Sequence, residues 1–131
     1  MISVDLATRL RRAGLVWHPS PGDRFAIPDR GLDDEVFVLS NMTIEIHELP
    51  EGTIIGFNGT TEWALDDLEK DEALWLPRED QLRESLGGAF QRLERVDGGY
   101  RVVAVPNGRP EEFVAPTAEE AYGVALLRVL T

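Results

Sequence analysis

The chain has no cysteine. That removes disulfides, thiolate metal ligands and cysteine nucleophiles together. It has one lysine, Lys70, set among acids. No glycine-rich loop leads into a lysine, which excludes a phosphate-binding loop and the nucleoside triphosphatases built on one. There is no Gly-x-Ser-x-Gly elbow. The acidic run D-D-L-E-K-D-E lacks the glycine that a calcium loop needs. No run of about 18 apolar residues occurs, so no helical membrane span is expected. The N-terminus, M-I-S-V-D-L-A-T-R-L-R-R, places charges where a secretory signal needs an apolar core, so a cytoplasmic location is expected.

What remains is a 131-residue chain, 43% hydrophobic, of a size for one globular domain with a real core. Its net charge is −11, unevenly spread. Residues 1–30 carry five arginines and three aspartates. Residues 31–61 carry six acids and no lysine or arginine. Residues 62–80 carry eight acids against Lys70 and Arg78. The remainder is close to neutral. Direct binding to nucleic acid is not expected, because phosphate contacts need an excess of cationic surface. The plain reading of the acidic middle is a solvated, self-repelling surface. The sharper reading is docking onto a basic partner, including mimicry of nucleic acid.

The stretch Asp71–Phe90 organises the pattern. Leu74, Trp75 and Leu76 precede Pro77, which biases Leu76 away from the helical region. A helix is predicted from Pro77 or just after it, with Glu79 and Asp80 in its first turn, where carboxylates suit the positive end of the dipole. Leu82 and Leu86 share one face, and Gly87–Gly88 stop the helix. A structural joint here buries Trp75, Leu82, Leu86 and Phe90. The alternative leaves Trp75 exposed as a binding anchor.

Elsewhere the periodicity predicts a helix over Ser3–Gly14 capped by Ser3. His18–Asp23 is turn chemistry. Strands are predicted at Arg24–Ile27, Glu35–Leu39, Met42–Leu49 and Thr53–Phe57, with a polar loop over Asp29–Asp34. A helix is predicted from Thr60 or Thr61 through Leu68. Strands follow at Phe90–Val96, Tyr100–Val105 and Glu111–Ala115, the first two joined by an Asp97-Gly98-Gly99 turn. A last helix begins at Thr117, which has capping-box spacing to Glu120, and is largely buried through Ala121, Val124, Ala125, Leu127 and Leu130. Hairpin-length connections make the class α+β, with an antiparallel sheet and flanking helices. The two halves, 1–70 and 76–131, rhyme as a duplicated α-β-β-β-α unit. A single α+β domain explains the same pattern.

Chemistry is sparse. His47 and Glu45 are two apart on a strand and share a face, a spacing open to acid–base work or metal ligation. Two ligands do not make a site. The expectation is therefore no catalytic, cofactor or metal residues. The candidate partner-binding residues are Asp66, Asp67, Glu69, Asp71, Glu72 and Trp75. A small-ligand enzyme or hydrolase using His47 and Glu45 is the second reading. A structural subunit of a homo-oligomer is the third.

The segments F-N-G-T-T-E-W-A-L, L-W-L-P-R-E-D-Q-L-R-E-S-L and E-E-A-Y-G-V-A-L-L-R-V-L resemble a family of small acidic actinobacterial proteins, some of which bear the label "pilus assembly protein". The resemblance spans nearly the whole chain. It implies no catalytic motif and no functional residues to carry over.

Overall fold

A computed structural model describes residues 1–28, 32–39, 45–49, 52–56, 67–69 and 72–131. The architecture is α+β, and every strand pairing among the described residues is antiparallel. The chain divides into two compact units: Met1–Val16 with Leu76–Thr131, and Trp17–Trp75. The N-terminal helix thus clusters with the C-terminal segment, and the units do not follow the halves 1–70 and 76–131.

The discontinuous unit holds three helices and one sheet. Helix α1 (Val4–Arg12) begins where Ser3 Oγ accepts the Leu6 N–H at 3.1 Å. Such a cap is worth about 1 kcal/mol. Leu6, Ala7 and Leu10 form its buried face. Gly14, at φ +112°, ends the segment in a conformation that glycine adopts without strain. Helix α2 (Glu79–Leu86) follows Pro77, as the sequence predicts, and buries Leu82 and Leu86. At its start the Arg78 N–H donates to Gln81 Oε1 at 2.9 Å. A 3₁₀ turn, Gly87–Ala89, leads into the sheet.

That sheet is β7 (Phe90–Val96), β8 (Gly99–Ala104) and β9 (Glu111–Ala115), in chain order. Asp97-Gly98 makes the predicted tight turn between Val96 and its partner Gly99, with Gly98 at φ +78°. Helix α3 (Ala118–Leu130) starts where Thr117 Oγ1 accepts the Glu120 N–H at 3.2 Å. It packs on α1, α2, β8 and β9. So α2, β7, β8, β9 and α3 do form an α-β-β-β-α run.

Register decides which face of this sheet meets α3. Tyr122 of α3 lies against Phe90, ring centroids 5.5 Å apart, and Arg128 reaches Glu111 at 3.3 Å. Phe90 and Glu111 both pair with Ala104. The Ala104 row, with Val102 two residues on, therefore faces α3. Arg101 and Val103 face the other way. There Arg92 hydrogen-bonds Glu94, and Arg101 lies 3.2 Å from Glu94 and 3.7 Å from Glu112. Val103 shares a row with Arg92 and Glu112 and is buried.

Three residues expected to be buried in α3 are not. Val124 and Leu130 are exposed, not buried, and Leu127 is only half-buried. The buried side is Ala118, Ala121, Tyr122, Gly123, Ala125 and Leu126, the side on which α1, α2 and the sheet pack.

Among its described residues, the second unit contains two sheets. In one, β1 (Arg24–Ile27) sits between β2 (Leu32–Val38) and β6 (Leu74–Trp75). The predicted loop over Asp29–Asp34 is thus strand from Leu32 onward. Trp17, Phe25, Ile27, Leu39 and Ala73 form its core, with Phe37 and Trp75 packed against it. Phe25 stacks on Phe37 at 5.5 Å and meets Trp17 at 5.7 Å. The other sheet is β3 (Glu45–Leu49), β4 (Gly52–Gly56) and β5 (Asp67–Glu69), again in chain order. β5 corrects the helix predicted to run through Leu68: its last residues are strand, paired with β4. The beginning of that predicted helix lies outside the described residues. Among the described residues, no helix is long and apolar enough to cross a membrane.

Candidate functional site

The β3–β4–β5 register brings together residues that the sequence keeps apart. Glu45 pairs with Gly56, and Gly56 pairs with Asp67. His47 pairs with Ile54, and Ile54 pairs with Glu69. These two rows are two residues apart along each strand, so they share one face of the sheet. The intervening row, Ile46–Ile55–Leu68, belongs to the opposite face. One face is therefore apolar along its central row. The other carries Glu45, His47, Asp67 and Glu69. Strands lie about 4.8 Å apart, which puts the backbones of Glu45 and Asp67 about 10 Å from each other. Between them stands Gly56, which has no side chain.

Charge separates along the same boundary as the fold. The unit Trp17–Trp75 holds fourteen carboxylates against Arg24, Arg30 and Lys70, a formal −11. The other unit holds ten carboxylates against ten arginines. The whole net charge of the protein thus resides in one compact unit. Within 32–69 there is no lysine or arginine at all. The acidic face of β3–β4–β5 is built entirely from that segment.

Of the residues singled out in the sequence, Asp67 and Glu69 join this face. Asp66 and Asp71 lie outside the described residues. Glu72 is half-buried. Trp75 is half-buried in β6 opposite Phe25, packed against the aromatic core rather than standing out as an anchor. Its indole Nε1 is buried without a hydrogen-bond partner. His18 is exposed in the segment after α1. The alignment of Glu45 and His47 with Asp67 and Glu69 was invisible in the sequence, because Asp67 and Glu69 fell in a stretch with helical spacing. Only the ladder to β4 reveals it.

The discontinuous unit has a shallow cleft of about 340 Å³ lined by Glu79, Tyr100, Pro116, Thr117, Ala118 and Glu119. Two of its polar groups have structural duties. Thr117 caps α3, and Glu119 takes the Met1 ammonium at 2.8 Å. Among the described residues, no three His, Asp or Glu groups gather as a metal set. Comparison with protein-family models, with curated proteins and with solved structures finds no match.

Proposed function

We propose that the protein is a binding module whose acidic unit docks a basic protein partner, with the Glu45–His47–Asp67–Glu69 face as the contact surface. The observation that carries this reading is the partition of charge. One unit is neutral by internal matching of arginines and carboxylates. The other holds an excess of eleven negative charges with three cations to set against it. Such a charge excess costs stability through self-repulsion, and a complementary partner offsets that cost while steering encounter. A second copy of the chain is a poor occupant, since it would bring the same sign of charge to the face.

The test is affinity capture of the tagged protein from its host lysate, followed by binding of the purified partner across a salt series. The partner should dissociate as ionic strength rises. A variant with Glu45→Gln, Asp67→Asn and Glu69→Gln should lose it. A partner held equally well by that variant overturns the assignment of the face. A partner insensitive to salt overturns the electrostatic reading altogether.

A further inference from the structure

We propose that a second copy of the chain pairs with the outer edge of β7, antiparallel and about a two-fold axis at Leu93, joining two three-stranded sheets into one of six. The inference concerns the neutral unit, and it stands whether or not the acidic unit docks a partner. It starts from the sheet order: β7 and β9 are the edges, with β8 between them. Among the described residues, β8 is the one strand that pairs with β7. A seven-residue edge presents a row of unpaired N–H and C=O groups, a template for a further strand. The sequence of β7, F-Q-R-L-E-R-V, then selects that strand. Laid antiparallel on itself with Leu93 opposite its own copy, β7 sets Arg92 opposite Glu94 and Glu94 opposite Arg92. Directly opposed residues share a face of the sheet, so opposite charges meet twice across the axis. Moving the axis by one residue destroys this. It then opposes Arg92 to Arg92, or Glu94 to Glu94, and like charges directly opposite are destabilising.

The apolar row supports the same axis. Leu93 pairs with Val102, and Val102 with Phe113. Val102 is buried, while Leu93, at the edge, is half-buried. In the joined sheet the two leucines meet, and the row Phe113–Val102–Leu93 continues into its copy. The other edge, β9, has no such symmetry. About its centre, Phe113, it opposes Glu112 to Val114, and its Glu111 is already engaged by Arg128 of α3. The unit that carries β7 balances ten carboxylates with ten arginines, so it brings no net charge to a copy of itself.

The experiment is sedimentation equilibrium of the full chain over a concentration series at about 150 mM salt, where a screening length of about 8 Å mutes repulsion between the acidic units. The parent should show a reversible monomer–dimer equilibrium. Arg92→Glu and Glu94→Arg should each weaken it roughly tenfold or more, since like charges then oppose one another at both positions. An equimolar mixture of the two variants should dimerise again, because each carries the charges that the other opposes. That rescue distinguishes a lost interface from a lost fold. The axis is read by cross-linking, since the chain has no cysteine of its own. Leu93→Cys should form an intermolecular disulfide on oxidation: opposed Cα atoms of an antiparallel pair stand about 4.5–5.5 Å apart, within bridging reach. Arg95→Cys, on the same face, places its thiol about 14 Å along the strands from its copy and should stay reduced. A parent that is monomeric at every concentration overturns the proposal, as does a mixture no better associated than its components. Equal cross-linking at both positions overturns the axis at Leu93.

Discussion

The indole N–H of Trp17 donates to Asp23 Oδ2 at 2.9 Å, and both residues are buried. The same carboxylate oxygen accepts the Ser20 N–H at 3.0 Å. The Asp23 backbone meanwhile extends the β1–β2 ladder: the Leu39 N–H donates to the Asp23 carbonyl at 2.9 Å, and the Gly22 N–H to the Leu39 carbonyl at 2.8 Å. One aspartate thus closes the 17–23 turn and fixes an aromatic of the core. Asp23→Ala leaves the Trp17 N–H buried and unpaired, which should cost about 1–3 kcal/mol. Asp23→Asn keeps an acceptor and should recover part of that loss. Urea unfolding followed by tryptophan fluorescence measures both. Equal stability of the alanine variant and the parent would show that the bond does not hold the turn.

Gly123 permits the approach of α1 to α3. A Cβ there would stand 2.6 Å from Leu6 Cδ2 and 3.3 Å from Ile2 Cδ1. Gly123→Ala gains about 1 kcal/mol of helix propensity, but overpacking a closed core costs typically 1–3 kcal/mol. Leu6 and Ile2 are both buried, so neither has free space to retreat into. The net expectation is a loss of about 1 kcal/mol. The sign should reverse in a Leu6→Ala background, where the methyl group is no longer opposed. A double-mutant cycle by thermal unfolding checks it, and additive effects would mean that the helices are not in register at this glycine.

These two contacts mark the reach of sequence reading. What depends on a few neighbouring residues was legible: the Ser3 and Thr117 caps, the Asp97-Gly98 turn, and the glycine stop after α2. The α+β class followed, because hairpin-length links force antiparallel pairing. What depends on distant partners was not. The stretch ending at Leu68 has helical spacing, yet Leu68 pairs with Ile55 as a strand, since pairing with a neighbouring strand overrides local preference. β6 is two residues long and exists only because β1 offers it an edge. Val124 looked like core until α1 took the Gly123 side of α3 instead. The candidate site divides the same way. Glu45 and His47 could be placed on one face from alternation alone. Asp67 and Glu69 needed the register across β4.

Glu94 should titrate abnormally. The hydrogen bond from Arg92 holds its carboxyl below the ordinary glutamate value, helped by the charges of Arg92 and Arg101. A folded-state value below the unfolded one means that the stabilising effect is in place above the ordinary glutamate range. It is lost as pH falls through the folded value. Carbon-detected NMR titration of the side-chain carboxyl should place Glu94 below the exposed glutamates. Arg92→Ala should move it up more than Arg101→Ala does. An unshifted Glu94, or one indifferent to Arg92, would mean that this surface network is not populated in solution.

The charge partition makes a prediction about stability that also weighs function against fold. All three tryptophans, Trp17, Trp63 and Trp75, lie in the acidic unit, while both tyrosines lie in the neutral one. Tryptophan fluorescence therefore reports on the acidic unit alone. Raising ionic strength from about 10 mM to about 150 mM shortens the screening length from about 30 Å to about 8 Å. The urea midpoint seen by tryptophan should rise over that range. Hydrogen exchange of the α3 amides, whose unit balances its own charge, should change little. A tryptophan midpoint that ignores salt would refute the idea that repulsion burdens this unit. The Glu45→Gln, Asp67→Asn, Glu69→Gln variant then sharpens the question. If it is more stable than the parent and less sensitive to salt, the acids on that face weaken the fold that carries them, which is the pattern expected of residues retained for binding. If it is less stable, those carboxylates hold the sheet together, and the binding surface must be sought elsewhere on the acidic unit.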